Sequence, residues 1–334
     1  MGLTEIDSLE IAVIVDNELD PLSPSCNPAV KLGGGLKDPS EGAIIDRGGR
    51  AKEMRMDHIC CGAHGLSMMI TAIKGGSRHT VLFDTGPEEE VWQRNAHRIG
   101  ADIAAIELIQ LSHWHRDHSG GMLRAIRMIN SAKSADAPPV IADLHPSRPD
   151  YRGVMGPIPI SLEADPTFDE VVAAGATLVK SAAPHGVCDD MFLISGEIPR
   201  RTAYEQGIRR GIRFSAETNA WSDDPLISDE RLLMVKLKGK GVVVFTGCSH
   251  AGAVNASRHA VELGDSAPLY AIVGGYHLAD AERDTIDATV KDFKSLGPKI
   301  LIPGHCTGWR AKCKIEQEMP GCMVPSFVGS RLAL

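Results

Sequence analysis

Short apolar runs alternate with polar turns along this chain, and their lengths separate strands from helices. Residues 9–15, LEIAVIV, are a β-branched run closed by Asp16 and Asn17 and read as a buried strand. GLSMMITAI and HTVLFDTG read as two strands of a hairpin, turning between Lys74 and Ser77. PEEEVWQRNAHRIG then carries the marks of a helix: Pro87 in the first turn, acids beside it, a basic end and Gly100 as terminator. The order repeats with the strand IELIQL, a polar turn and a helix over 121–131. Further strands are expected at 139–143, 177–180, 232–237, 241–246, 269–273 and 299–302, with helices at 251–263 and 280–295. Two β-rich halves with interspersed helices predict an α/β (α+β) fold, an αββα sandwich of two mixed sheets covered by helices. Residues 19–57 are rich in Gly, Pro and Asp and are expected to be an insertion in a single domain spanning 1–334.

The turn after IELIQL reads SHWHRDHSGG, with His113, His115, Asp117 and His118 within six positions. A tight turn at a strand end directs such side chains into one cleft, and imidazole and carboxylate are ordinary ligands of zinc, iron or manganese. The alternative is a polar turn with solvated imidazoles. A metal reading needs donors from other strand ends, and the sequence supplies them: Cys248 and His250 in FTGCSHAG, His277 in GGYHL, and His305 with Cys306 in PGHCTGW. Each alone would more often be a structural residue; together, each beside glycine, they favour a metal centre.

Composition narrows the partners. The 334 residues are 43% hydrophobic and 23% charged with a net charge of −8, which suits a folded chain acting on a small molecule rather than on nucleic acid or an anionic membrane. No apolar run is long enough for a membrane span, and the N-terminus is acidic where a secretion signal needs a basic flank, so a cytoplasmic setting is expected. A homodimer is compatible with all of this. The eight cysteines follow no disulfide framework and are expected to be reduced. The stretch RRTAYEQGIRRGIR concentrates arginines, and Arg200 and Arg209 are candidates to hold an anionic substrate; an exposed basic loop is the alternative.

The segments LFDTG, LSHWHRDHSGG, FTGCSHAG, GGYHL and PGHCTGW together resemble the metallo-β-lactamase fold superfamily. The last three, with LISGEIPRRTAYEQG and AHGLSMMI, are similar to the subgroup that includes dihydropterin-aminobenzene-phosphate synthases. The resemblance implies one or two Zn2+ ions, with Fe or Mn as alternatives. It places His113 and His115 at one ion, Asp117 and His118 at the other, and His305 as the late histidine of the second. Hydrolases of the superfamily, such as glyoxalase II, have an aspartate bridging two metals where this chain has Cys248. His250 is then the expected ligand from that segment, with Cys248 as a further thiolate donor. His185 matches the third motif of the superfamily or is a solvated loop histidine. Asp84 is expected to orient a ligand histidine, and His64 stands where the subgroup has a polar pair, with Ala63 in place of the acid.

The chemistry expected is hydrolysis by metal-activated water, with Asp117 orienting the nucleophile or taking its proton and His277 polarising or protonating the group under attack. Gly274 and Gly275 are expected to leave room there for a ligand. A hydrolytic dehalogenase of chlorinated aromatics of the chlorothalonil type is one specific form. The alternatives are a synthase-like transferase releasing pyrophosphate and a metal-binding module without hydrolytic turnover.

Overall fold

The computed structural model describes residues 2–36, 38 and 43–334. Among these, an 8-stranded and a 7-stranded sheet face each other. In the first, the hairpin Ser67–Lys74 and Ser77–Phe83 pairs on one side with Ser8–Val15 and on the other, in parallel, with Ile106–Gln110 and then Ile141–Leu144. In the second, Leu233–Leu237 and Gly241–Thr246 are antiparallel, and Leu269–Gly275 and Ile300–Gly304 follow in parallel. Both sheets are mixed, as expected.

Three packed clusters explain the layering. Leu9, Ile11, Ile70, Phe83, Val235, Phe245 and Ile302 belong to one cluster between the sheets. Trp92, Ala96, Ile126 and Ile129, from the helices Glu89–Ile99 and Met122–Ala132, pack on the outer face of the 8-stranded sheet. Val254, Ala260, Phe293 and Ile315, from Ala253–Leu263, Arg283–Leu296 and Trp309–Glu318, cover the other. Strands such as Gly241–Thr246 are buried on both sides, which is why they read as unbroken apolar runs. No helix among the described residues is long and apolar enough to cross a membrane.

Several elements lie outside the sequence reading. A 4-stranded sheet forms from Tyr151–Met155, Pro159–Ser161, Gly211–Ser215 and Ala220–Asp223, and Ser330–Ala333 joins the 8-stranded sheet beside Ser8–Val15. Within 19–57, Lys31–Gly34 pairs with Ser330–Ala333, and Ile44–Asp46 pairs with Lys52–Met54. Residues 37 and 39–42 of that stretch lie outside the described residues.

The parallel strands of both sheets end on one rim, and buried charges tie the two halves together there. Arg231, fully buried just before Leu233–Leu237, donates to Asp143 Oδ1 at 2.6 Å, to Asp143 O at 3.0 Å and to Leu111 O at 3.2 Å, all on the opposite sheet. Arg152 donates to Asp229 and Asp224 and ties the 4-stranded sheet to the same region. Gly120 closes the turn behind the histidines, since a Cβ there would lie 1.7 Å from Pro87 O.

Two outcomes test this frame. Asp143→Ala strands the Arg231 charge in the interior and should cost about 3–5 kcal/mol of unfolding free energy, read by urea denaturation. Asp165, which accepts a hydrogen bond from Ser119, is pushed up by burial to about 6. The folded chain therefore keeps a proton that the unfolded chain loses above about pH 4, so stability falls by up to about 3 kcal/mol as pH rises from about 4 to about 6. Asp165→Asn should flatten that slope and raise the urea midpoint at neutral pH. An unchanged slope would assign the acid dependence elsewhere.

Candidate metal centre

Six strand ends deliver the chemistry. The segment after Ile106–Gln110 supplies His113, His115, Asp117 and His118, the end of Gly241–Thr246 supplies Cys248 and His250, and the ends of Leu269–Gly275 and Ile300–Gly304 supply His277 and His305. Asp84 follows Ser77–Phe83, and Asp16 and Asn17 follow Ser8–Val15. Four of these segments bend through left-handed backbone at non-glycine residues: Asp84 at φ 58°, Ser249 at φ 64°, and His277 and His305 at φ 48°. Such conformations persist where the surroundings over-determine them, which is common at functional sites.

Two donor groups result. In the first, His113 Nε2 lies 2.9 Å from His115 Nδ1 and 3.1 Å from His250 Nε2, and His250 Nε2 lies 3.2 Å from His115 Nδ1. In the second, Asp117 Oδ2 lies 3.3 Å from His305 Nε2 and 3.6 Å from His118 Nε2. Cys248 Sγ stands 3.1 Å from both His118 Nε2 and His305 Nε2. The ligand atoms of Asp117, His118, Cys248 and His305 all lie within 4.8 Å of one another, as do those of His113, Cys248 and His250. His113, His115, Asp117, His118, His250 and His305 are thus brought together.

The imidazoles form the floor of the site. His113 and His118 are fully buried and His115, His250 and His305 nearly so, because the loops of both sheets close over them. Burial holds His113 and His250 well below the ordinary histidine range and pushes His115 down to about 3, so all three keep free lone pairs. Three neutral ring nitrogens in a mutual triangle cannot satisfy one another by hydrogen bonds, and His250 Nδ1 has no partner at all. A cation at their centre would take all three lone pairs, and ligand spacings near 3 Å suit bonds of ~2.0–2.1 Å. The donor set therefore fits a divalent metal.

Supporting hydrogen bonds fix which nitrogen points inward. Asp84 Oδ2 accepts from His118 Nδ1 at 2.6 Å and from Ser112 Oγ at 2.8 Å, and Ser112 Oγ in turn lies 2.9 Å from His113 Nδ1. One carboxylate thus orients a histidine of each group, leaving both Nε2 atoms for a ligand. Asn17 Oδ1 accepts from His305 Nδ1 at 2.9 Å, and Asp16 Oδ1 accepts from the His305 backbone N–H at 2.9 Å. Asp16 and Asn17 read in sequence as the close of a strand; their signal was a pair of polar residues at the end of a buried run. More completely missed was the run Asp229, Glu230 and Arg231. Asp229 Oδ2 accepts from Trp114 N at 2.8 Å, and Glu230 accepts from His250 N at 2.8 Å and Ala251 N at 2.6 Å. Three consecutive charges ahead of an apolar strand were the available sign.

The other candidates disperse. His64 Nε2 faces Asp117 Oδ2 at 3.5 Å from an exposed position, and Asn17 Nδ2 donates to its Nδ1 at 3.0 Å. His277 lies on the cavity wall, its ring 4.5 Å from that of His250. Gly274 and Gly275 do not make room for a ligand there: a Cβ on Gly274 would meet Thr246 O at 2.0 Å, and one on Gly275 would meet Gly247 O at 2.5 Å, so both serve strand packing. His185 stands apart, Nε2 on Asp143 at 2.8 Å and Nδ1 on Ala183 O at 2.9 Å; the place beside His113 and His115 is filled by His250. Arg200 lies beneath the site, donating to His250 O at 2.7 Å and to Leu226 O. Arg209 is exposed and lines an adjoining pocket that also touches His250 and His277. The donors open into a cavity of about 870 Å3, whose wall adds Glu88, Glu89, Glu90, Arg116, Leu162, Glu163 and Ile208.

Because Asp84 sets the orientation of His118 and, through Ser112, of His113, Asp84→Asn should weaken metal binding about 10–100-fold in equilibrium dialysis while the circular dichroism spectrum is retained. Asparagine tolerates the left-handed backbone, so folding is not at issue.

No family model matches the chain. Over 258 residues it is 29% identical to the 7,8-dihydropterin-6-methyl-4-(beta-D-ribofuranosyl)-aminobenzene-5'-phosphate synthase of Methanocaldococcus jannaschii, covering 76% of this chain and 84% of that protein. An uncharacterized protein of the same organism is 28% identical over 260 residues, covering 76% and 88%. Among solved structures, a metal-dependent hydrolase of the beta-lactamase superfamily aligns with TM-score 0.65 at 22% identity, over 97% of this chain and 98% of that one. The metallo-beta-lactamase fold protein YhfI from Bacillus subtilis aligns with TM-score 0.51 at 11% identity, over 98% and 100%. The chain has the metallo-β-lactamase fold, and its sequence likeness runs to the group that contains the dihydropterin-aminobenzene-phosphate synthase.

Proposed function

We propose that the protein is a metal-dependent enzyme that hydrolyses a small organic molecule, with His113, His115 and His250 holding one ion and Asp117, His118 and His305 a second. The observation that carries this reading is the convergence of these donors, most of them buried, at the floor of a cavity of about 870 Å3. Zinc suits the mixture of imidazole, carboxylate and thiol, and iron or manganese are alternatives. A divalent ion in such a site supplies a nucleophile from water at neutral pH and a Lewis acid for the group under attack.

The chain's own residues then have distinct tasks. Asp117, itself a donor of the second group, also lines the cavity and would orient the attacking water or take its proton. His64, 73% exposed in its side chain and 3.5 Å from Asp117, is placed to pass that proton to solvent. His277 faces the cavity from the opposite strand end and is placed to protonate a leaving group. Leu162 and Ile208 give the wall an apolar side, while Glu88, Glu89, Glu90 and Glu163 make its rim acidic. Glu89 and Glu163 are matched by Arg124, Arg127 and Arg116.

A second reading is a synthase that condenses two small molecules with release of pyrophosphate. It is favoured by the 29% identity to the dihydropterin-aminobenzene-phosphate synthase. In that reading the same ions would neutralise the departing phosphates.

One screen separates the readings. Metal-loaded protein is offered phosphate esters, lactones, chlorinated aromatics such as chlorothalonil, and pterin pyrophosphates with an aromatic amine. Water incorporation into product supports hydrolysis; amine-dependent pyrophosphate release supports the synthase. Activity should vanish on chelation and return with Zn2+. Turnover that survives complete metal removal would defeat both readings. The arginines should behave differently from each other. Arg209→Ala should lower kcat/KM about tenfold to a hundredfold for an anionic substrate only, the loss of one charge-assisted hydrogen bond. Arg200→Ala should lower activity on every substrate, because its task is to hold the His250 segment.

A further inference from the structure

The two donor groups share one residue. Cys248 is common to both, and its Sγ is 3.1 Å from His118 Nε2 and 3.1 Å from His305 Nε2 on one side while lying within 4.8 Å of the ligand nitrogens of His113 and His250 on the other. Cys248 is only 4% exposed, and Cys306 lies beside it, its thiol donating to the Cys248 backbone oxygen at 3.5 Å.

We propose that Cys248, as a thiolate, bridges the two ions of the centre. The proposal rests on the metal-enzyme reading above and deepens it. The count of donors supports it. His113, His115 and His250 offer three atoms to one ion, and Asp117, His118 and His305 offer three to the other. One shared sulfur would give each ion four protein donors and leave a fifth position for the water that the hydrolytic reading needs. A sulfur given to one ion alone would leave the other with three protein atoms and the pair electrostatically unshielded. A thiolate carries enough lone pairs for both, and one negative charge between two dications reduces their repulsion. On loading, the S–H bond breaks, its proton leaves to solvent, and the electron pair is shared with the ions.

The bridge also confers selectivity. Two hard-oxygen ions such as Mg2+ gain little from a shared sulfur, whereas Zn2+ and Cd2+ gain most.

The test is 113Cd NMR on the full-length protein loaded with two equivalents of cadmium, beside Cys248→Ser. Two resonances are expected, both displaced into the thiolate range, and both are expected to move to the nitrogen and oxygen range in Cys248→Ser. One displaced and one undisplaced resonance in the unaltered protein would make Cys248 a ligand of a single ion and overturn the bridge while leaving the metal-enzyme reading intact. Two undisplaced resonances would remove Cys248 from the centre altogether. Failure to bind cadmium at all would strike the reading on which the proposal rests. The decisive spectrum is that of the unaltered protein, so a poorly folding variant would not blunt the test.

Discussion

Everything at the site hangs on three consecutive buried charges, Asp229, Glu230 and Arg231, each holding a different loop. Asp229 fixes the backbone N–H of Trp114, and Arg152, paired with Asp229, fixes the Trp114 carbonyl at 2.8 Å. The peptide between His113 and His115 is thereby held from both ends. Glu230 seats the His250 segment, and Arg231 reaches from the 7-stranded sheet to hold Leu111 and Asp143 of the 8-stranded one. Burying such groups is costly unless every charge finds its partners. Here each partner is a loop that must not move, so the desolvation cost is offset at the positions where rigidity serves the donors.

That rigidity matters because the donors oppose their own assembly. Bringing several imidazoles and a thiol into a dry floor is unfavourable for the chain alone, as the depressed values of His113, His115 and His250 record. A scaffold that prepays this cost converts it into metal affinity, since little reorganisation remains when an ion arrives. The left-handed backbone at Asp84, Ser249, His277 and His305 is part of the same strain. The parallel strands carry it: strand ends brought together from both sheets converge on one rim without any long loop reaching across.

How much of this the sequence disclosed follows from what local patterns can encode. Strands such as 241–246 and helices such as 283–296 announced themselves by apolar runs and periodicity, because burial dictates them residue by residue. The strand 330–333 did not, since its four residues gain their identity only from the partner strands 8–15 and 31–34 on either side. The 4-stranded sheet at 151–223 is half exposed, and its pattern is correspondingly weak. In the candidate centre, the convergence of His113, His115, Asp117 and His118 was legible from spacing, and that of His250 and His305 from their strand ends. The supports were not. Asp229, Glu230 and Asn17 act across the fold, at separations of 115, 20 and 288 residues from the atoms they hold. His185 misled because a histidine before glycine in a loop looks the same whether it holds a metal or, as here, Asp143. Arg200 misled in the same way, its charge spent on carbonyls beneath the site.

The central claim is that two ions sit between these donors. Anomalous diffraction from crystals of the zinc-loaded protein, collected on both sides of the zinc edge, tests it most directly. Two peaks are predicted, one among His113, His115 and His250 and one among Asp117, His118 and His305, each within ~2.0–2.3 Å of its ligands. A zinc-loaded crystal with no anomalous density among these residues would contradict the account.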